Sequence, residues 1–169
     1  MDKYILNVNI SLLLPAVVIF ILLGLHCYFF RGARLTSTFF GSALLLSFGR
    51  EVVFGFLSRL TGKPPYLVLG TPFKIFHLPM VLYIGWAITF YLSWYLAERI
   101  LKRIGCLSDR IFATITWSIL ITGGISYCVE ATAIRVGWWA WSFSDPRLKD
   151  FLVAPFSAFE GWSAETALF

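Results

Sequence analysis

The sequence predicts an all-α fold, a polytopic bundle of transmembrane helices. Of its 169 residues, 59% are hydrophobic and only 14% are charged, and the mean hydropathy is +0.79. Soluble domains carry about a quarter charged residues. Long uncharged runs alternate with short charged links, which is the pattern of a chain that crosses a membrane several times. We therefore expect a single integral membrane domain over residues 1–169, located in the cell membrane.

Four apolar segments are long enough to be membrane spans, and a fifth begins near the end. Pro15 falls inside the first span, where membrane helices tolerate proline. Pro79 falls in the first turn of the third, where the missing N–H costs least. The Pro64-Pro65 pair cannot sit inside a regular helix. The link after the second span also holds apolar residues (Leu67, Val68, Leu69 and Phe73), so it should lie on the membrane face or cap the bundle. The predicted spans cover residues 10–30, 36–58, 78–97 and 111–136, with a partial segment over 153–169.

Charge and cysteine content exclude several classes of function. The net charge of +5 is spread along the chain and fits basic residues between spans, so we expect no nucleic-acid partner. Cys27, Cys106 and Cys128 share no close spacing, and His26 and His77 are far apart, so we expect neither a metal site nor a disulfide framework. No cofactor is expected. The lipid bilayer is the expected surrounding, and a membrane partner subunit or a homo-oligomer stays open.

Two acidic residues lie inside the predicted spans. Glu51 is about 22 Å along its helix from Thr36, and Glu130 is about 28 Å along its helix from Ile111. Because the second and fourth spans run in the same direction, both acids should approach the same membrane face. Intramembrane acids are costly to place, which makes both of them candidates for function.

Small and hydroxyl residues share the helical faces of these acids. Helices place such residues against one another inside a membrane, so both acids should point inward. Glu51 has an alternative role as a structural ion pair with Arg50 or Arg135. Glu130 has one as a boundary residue solvated by headgroups. The face of Glu51 holds Ser47, Gly55 and Ser58, and that of Glu130 holds Gly123, Ser126, Tyr127 and Gly137.

Three tryptophans follow the fourth span within four positions. Tryptophan collects at membrane–water boundaries, because its ring is apolar and its N–H needs a partner. Trp138, Trp139 and Trp141 are therefore expected to be interface anchors, with a cation–π role as the second interpretation.

Two blocks of this sequence resemble a known family. Glu130-Ala131-x-Ala133-x-x-x-Gly137-Trp138-Trp139-x-Trp141 is followed by Val153-x-Pro155-x-Ser157-x-Phe159-x-Gly161-Trp162. This order is similar to the signature of a carotenoid-biosynthesis membrane family that includes acyclic carotenoid 1,2-hydratases and bisanhydrobacterioruberin hydratase. An upstream block, Glu51 with Gly62-x-Pro64-x-Tyr66, then Pro79 and Trp86, resembles the first block of that family. The resemblance spans about Gly49 to Trp162.

The resemblance implies hydration of a long isoprenoid without metal or organic cofactor. A general acid protonates a terminal C=C bond, a tertiary carbocation forms, and water adds to it. Loss of water around a carboxyl favours its protonated form, which suits a general acid at the membrane boundary. The implied catalytic residues are Glu51 and Glu130. The implied substrate-binding residues are Tyr66, His77, Trp86, Trp138, Trp139, Trp141, Pro155, Phe159 and Trp162.

The chain departs from the family pattern at three points. Glu130-Ala131 replaces an Asp-Pro pair, which keeps an acid but lengthens it. Ala158 replaces an asparagine, and the family continues further at the C-terminus. We therefore expect either a C-terminally shortened member or a divergent one. Two hypotheses follow: an intramembrane hydratase of an acyclic carotenoid, or a non-catalytic membrane subunit or isoprenoid-lipid-binding module in which the acids are structural.

Overall fold

The computed structural model describes residues 2–61, 66–68, 74–75, 78–105, 110–135 and 139–141. Four α-helices and four short strands lie within these ranges. The helices are α1 (Asp2–Arg31), α2 (Ala33–Thr61), α3 (Met80–Arg103) and α4 (Arg110–Arg135). The strands are β1 (Tyr66–Val68), β2 (Lys74–Ile75), β3 (Leu78–Pro79) and β4 (Trp139–Trp141).

Three of the described helical segments are long and apolar enough to cross a membrane. They are Leu12–Arg31 in α1, Met80–Arg103 in α3 and Ile111–Arg135 in α4. The predicted helical membrane protein is therefore confirmed in its coarse form. Helix α2 is long enough, with 29 residues, but it is not among the three. Its sequence includes Arg50, Glu51 and Arg59, which make it less apolar. The predicted partial span over 153–169 lies outside the described residues.

A single residue, Gly32, joins α1 to α2. Its φ is 86°, a left-handed conformation that glycine adopts without the steric cost of a Cβ atom. Its N–H donates to the Tyr28 carbonyl at 2.9 Å, which closes α1. The Gly32 carbonyl in turn accepts from the Thr36 hydroxyl at 2.9 Å, at the start of α2. The predicted link between these two helices is thus shortened to one residue.

Helices α1 and α2 contact each other along a small core. Phe20 of α1 meets Phe40 of α2 edge to face, with ring centroids 5.2 Å apart. Cys27, Phe40 and Ala43 are buried. Between Leu14 and Phe30, α1 carries many large exposed apolar side chains, which is what a helix presents to the hydrocarbon of a bilayer.

Helix α3 belongs to two compact units. The first holds α1, α2, the strands and α3 as far as Ile88, and the second holds α3 from Thr89 together with α4. The helix begins at Met80, because Leu78 and Pro79 form β3, and it ends at Arg103, six residues beyond the predicted Ala97. Gly105, with a φ of 69°, follows its end. The buried side chains of α3 are Tyr83, Ile84, Trp86, Ala87, Thr89, Phe90, Tyr91, Ser93, Ala97 and Leu101.

The short strands were not predicted by the all-α assignment. β1 pairs antiparallel with β4, and β2 pairs antiparallel with β3. The Pro64-Pro65 pair cannot continue a helix, and the next described residues after α2, Tyr66–Val68, form β1. Extended backbone near or in a membrane needs partners for its N–H and C=O groups, and strand pairing supplies them.

Candidate functional site

Glu130 is a buried acid within the membrane-spanning part of α4. Only 3% of its surface is exposed, although other side chains of α4 are exposed. The face of Glu130 also buries Gly123 and Ser126. The inward orientation predicted from the small residues on this face agrees with that burial. The alternative in which headgroups solvate Glu130 does not fit a side chain that is only 3% exposed.

A row of buried hydroxyl side chains leads along α4 to Glu130. Ser118, Thr122 and Ser126 precede the acid at intervals of four residues, and all three are buried. Residues four apart are neighbours on a helix surface, and each step of four also turns about 40° around the helix axis, so the row winds by about 120° from Ser118 to Glu130. At about 1.5 Å per residue, the row from Ser118 to Glu130 is about 18 Å long. We call Ser118, Thr122, Ser126 and Glu130 the polar row.

The hydroxyls of the polar row differ in their hydrogen bonding. The Ser126 hydroxyl donates to the Thr122 carbonyl, four residues back. This bond to the helix's own backbone is a common arrangement for serine and threonine in a helix. The Ser118 Oγ and the Thr122 Oγ1 are buried without a hydrogen-bond partner in the described part of the chain. Ser93 Oγ, on the α3 segment of the same compact unit, is a third such atom.

In the first unit, Trp86 lies against an arginine. The Arg50 guanidinium carbon is 4.6 Å from the centroid of the Trp86 ring, which is within cation–π distance. Trp86 is 2% exposed. On the same side of α2, Ser47 is buried and its hydroxyl donates to the Ala43 carbonyl at 2.7 Å. The substrate-binding role of Trp86 stays a prediction, and one contact of its ring is with this cation.

The pairing of β1 with β4 brings together three predicted site residues. Tyr66 lies opposite Trp141 in the ladder, and Val68 lies opposite Trp139. The chain after α2 and the tryptophan segment after α4 therefore meet in this ladder. An aromatic residue thus occupies at least one position in two of the three pairs of this ladder.

Of the remaining predicted site residues, Glu51 alone lies within the described part of the chain. Glu51 lies within α2, one position after Arg50. Its predicted pairing with Glu130 stays a prediction. His77, Trp138, Pro155, Phe159 and Trp162 lie outside the described residues.

Two features were missed at the level of the sequence. The polar row was recognised only at Ser126, although hydroxyl residues recur every four positions from Thr114 to Ser126 and end at Glu130. That spacing was the available signal. Arg50 was considered only as an ionic partner, and its stacking on Trp86, 36 positions later, has no local sequence signal.

Within the described residues, no group of three or more His, Cys, Asp and Glu side chains is placed to hold a metal ion. Comparison of the chain with protein-family models, with curated proteins and with solved structures found no match.

Proposed function

We propose that this protein is an intramembrane hydratase of a long, carotenoid-type isoprenoid, with Glu130 as its general acid. The observation that carries the proposal is a buried carboxyl in an apolar, membrane-long helix. An acid in that setting is expensive and is rarely placed there without a role in proton transfer or ligand binding. The resemblance of the segments around Glu130 and Trp162 to carotenoid hydratases supplies the substrate class.

The proposed chemistry needs only an acid, a water molecule and a cation-stabilising surface. The carboxyl proton adds to the less substituted carbon of a terminal C=C bond, and the tertiary carbocation that forms accepts the oxygen of water. The water then releases a proton to a carboxylate, so the net reaction is addition of one water molecule. Aromatic rings stabilise nearby cations, and Tyr66, Trp139 and Trp141, which the resemblance assigns to the substrate, are the residues proposed for this role.

The proposal includes the finer membrane arrangement. Helix α2 is a fourth span, with Arg34 at its start and Arg50, Glu51 and Arg59 in its second half. The segment over 153–169 begins a fifth. The protein lies in the cell membrane, and its polyene substrate enters from the lipid between helices.

The test is expression in a host that makes acyclic carotenoids, followed by pigment analysis. We expect a hydroxylated carotenoid with the native chain. Glu130→Gln keeps the size of the side chain but removes its exchangeable proton, so turnover per folded molecule should fall by about a hundredfold or more. Glu98→Gln, the same chemical change in the charged C-terminal part of α3, is the matched control and should keep activity.

The outcomes separate the candidates. Full activity of Glu130→Gln would remove this acid from the mechanism. Glu51→Gln should lose turnover as well, and the double substitution should be hardly worse than either single one, because residues that act as a unit are not additive.

The alternative is a non-catalytic isoprenoid-binding protein. The contact between Arg50 and buried Trp86 favours it, since a tryptophan that the resemblance assigns to the substrate is in contact with a side chain of the protein itself. Bound pigment without a hydroxylated product would support this alternative. Neither pigment nor product would reject both.

A further inference from the structure

The hydroxyls of Ser118 and Thr122 need a partner that the described residues do not provide. A buried hydroxyl without a hydrogen bond costs about 1–3 kcal/mol. Serine and threonine in a membrane helix normally avoid this cost by bonding their own backbone, as Ser126 does to Thr122 and Thr132 does to Cys128. Ser118 and Thr122 are deeply buried and do not, so their hydroxyl groups remain available to a ligand.

We propose that the polar row binds a file of water molecules that leads to Glu130. Successive positions of the row are one helical turn, about 6 Å, apart. One water molecule bridges such a gap, because each of its two hydrogen bonds to a hydroxyl spans about 2.8 Å. Water also matches the chemistry of the row, since hydroxyl groups both donate and accept hydrogen bonds.

Other ligands fit the row less well. An isoprenoid chain would leave the hydroxyls unsatisfied, because it has no polar atoms along its length. A metal ion requires several carboxylate, carbonyl or imidazole ligands, and the described part of α4 contains one acid and no histidine. A row that served only close helix packing would not need hydroxyl groups, because alanine and glycine do that equally well.

The inference rests on the proposed function for its purpose. Each hydration consumes one water molecule and no net proton, and the site of Glu130 lies within an apolar span. Because Glu130 is only 3% exposed, a hydratase that uses it needs a route by which water reaches the acid. The polar row is a polar surface that runs along α4 to Glu130.

Radiolytic labelling tests the water file without any substrate. X-rays convert bound water to hydroxyl radicals, which oxidise neighbouring side chains with oxygen from that water. Cysteine is a sensitive reporter, so Ser118→Cys and Thr122→Cys are compared with Leu120→Cys. Leu120 lies at the same depth but is 54% exposed on the apolar side of α4. The full-length chain is placed in lipid nanodiscs in ¹⁸O-labelled water, and peptide mass spectrometry locates the label.

We expect oxidation at positions 118 and 122 to be about tenfold faster than at position 120, because oxidation follows access to the oxidant. Equal, slow oxidation at all three positions would overturn the proposal. Thr122→Val gives a second measurement that does not depend on the cysteine variants folding. If water bonds the Thr122 hydroxyl, the valine variant should melt at the same or a lower temperature. A rise in melting temperature would show a hydroxyl that was buried dry, and would also overturn the proposal.

The outcome is distinguishable from that of the hydratase proposal. Fast labelling in a protein that forms no hydroxylated carotenoid would retain the water file and reject the hydratase. Hydration of the carotenoid by a protein whose polar row is not labelled would retain the hydratase and reject the water file. If both proposals hold, Thr122→Val should lower turnover several-fold while Glu130 stays in place.

Discussion

Helices α1 and α4 are both apolar enough to cross a membrane, but they bury very different residues. The spanning segment of α1, Leu12–Arg31, is the more apolar of the two and buries only a small share of its residues. Its buried residue in the core is Cys27, and the helix that it contacts is α2. The spanning segment of α4 buries a larger share, and four of the buried side chains are the three hydroxyls and the acid of the polar row.

The difference separates a membrane anchor from a functional helix. Lipid hydrocarbon is as apolar as a leucine side chain, so exposed apolar residues on α1 need no protein partner. The polar row would be unstable in the same surroundings, because buried hydroxyls and carboxyls need hydrogen bonds. α4 must therefore be two-sided, with one side suited to lipid and one to polar ligands, whereas α1 needs only enough apolar length.

The largest expected effect comes from placing a charge on the exposed side of each helix. Leu22 of α1 is 58% exposed, and Leu120 is its counterpart on α4. Arginine at the centre of a span costs about 3 kcal/mol on insertion scales. Leu22→Arg and Leu120→Arg should therefore each lower the equilibrium constant for membrane insertion by roughly a hundredfold, as measured by a glycosylation-site reporter.

Leu22→Ala and Leu120→Ala are the controls for this measurement and should insert normally. If Leu120→Arg inserted as well as the native chain, the exposed side of α4 would be in contact with water or protein. The two-sided description of α4 would then be wrong.

A smaller effect should follow from loosening the contact of α1 with α2. Phe40 is buried and meets Phe20, whereas Phe29 on α1 is 75% exposed. Phe40→Ala should lower the free energy of unfolding by about 1–2 kcal/mol, less than in a soluble core, because only the packing part of the cost applies in lipid. Phe29→Ala should change it by about 0.5 kcal/mol or less. Thermal melts of both variants in one detergent check the difference, and equal losses would contradict it.

The helices could be predicted from the sequence, but the contacts between residues far apart in the chain could not. Uninterrupted apolar runs predict α1, α3 and α4 because hydrophobic length is what a bilayer requires of a span. The burial of Glu130 also followed from local pattern, since Ser126 and Gly123 lie on its face. The β1–β4 ladder pairs Tyr66 with Trp141, 75 positions later, and nothing in either short segment specifies that register. The stack of Arg50 on Trp86 is non-local for the same reason.

The smallest expected effect comes from two glycine-to-alanine substitutions, which should change the stability of the protein in opposite directions. Gly32 ends α1 with a φ of 86°, while Gly124 lies within α4. A Cβ atom added at either glycine would meet nothing within 4 Å, so space does not distinguish them and backbone conformation decides the result. Gly32→Ala should destabilise the protein by about 1 kcal/mol, because an L-residue is strained in the left-handed region. Gly124→Ala should stabilise it by up to about 1 kcal/mol, because alanine is the better helix former. Thermal melts of the two variants, compared with the native chain in the same detergent, check the prediction. A higher melting temperature for Gly32→Ala would mean that the link between α1 and α2 is not the tight left-handed turn described above.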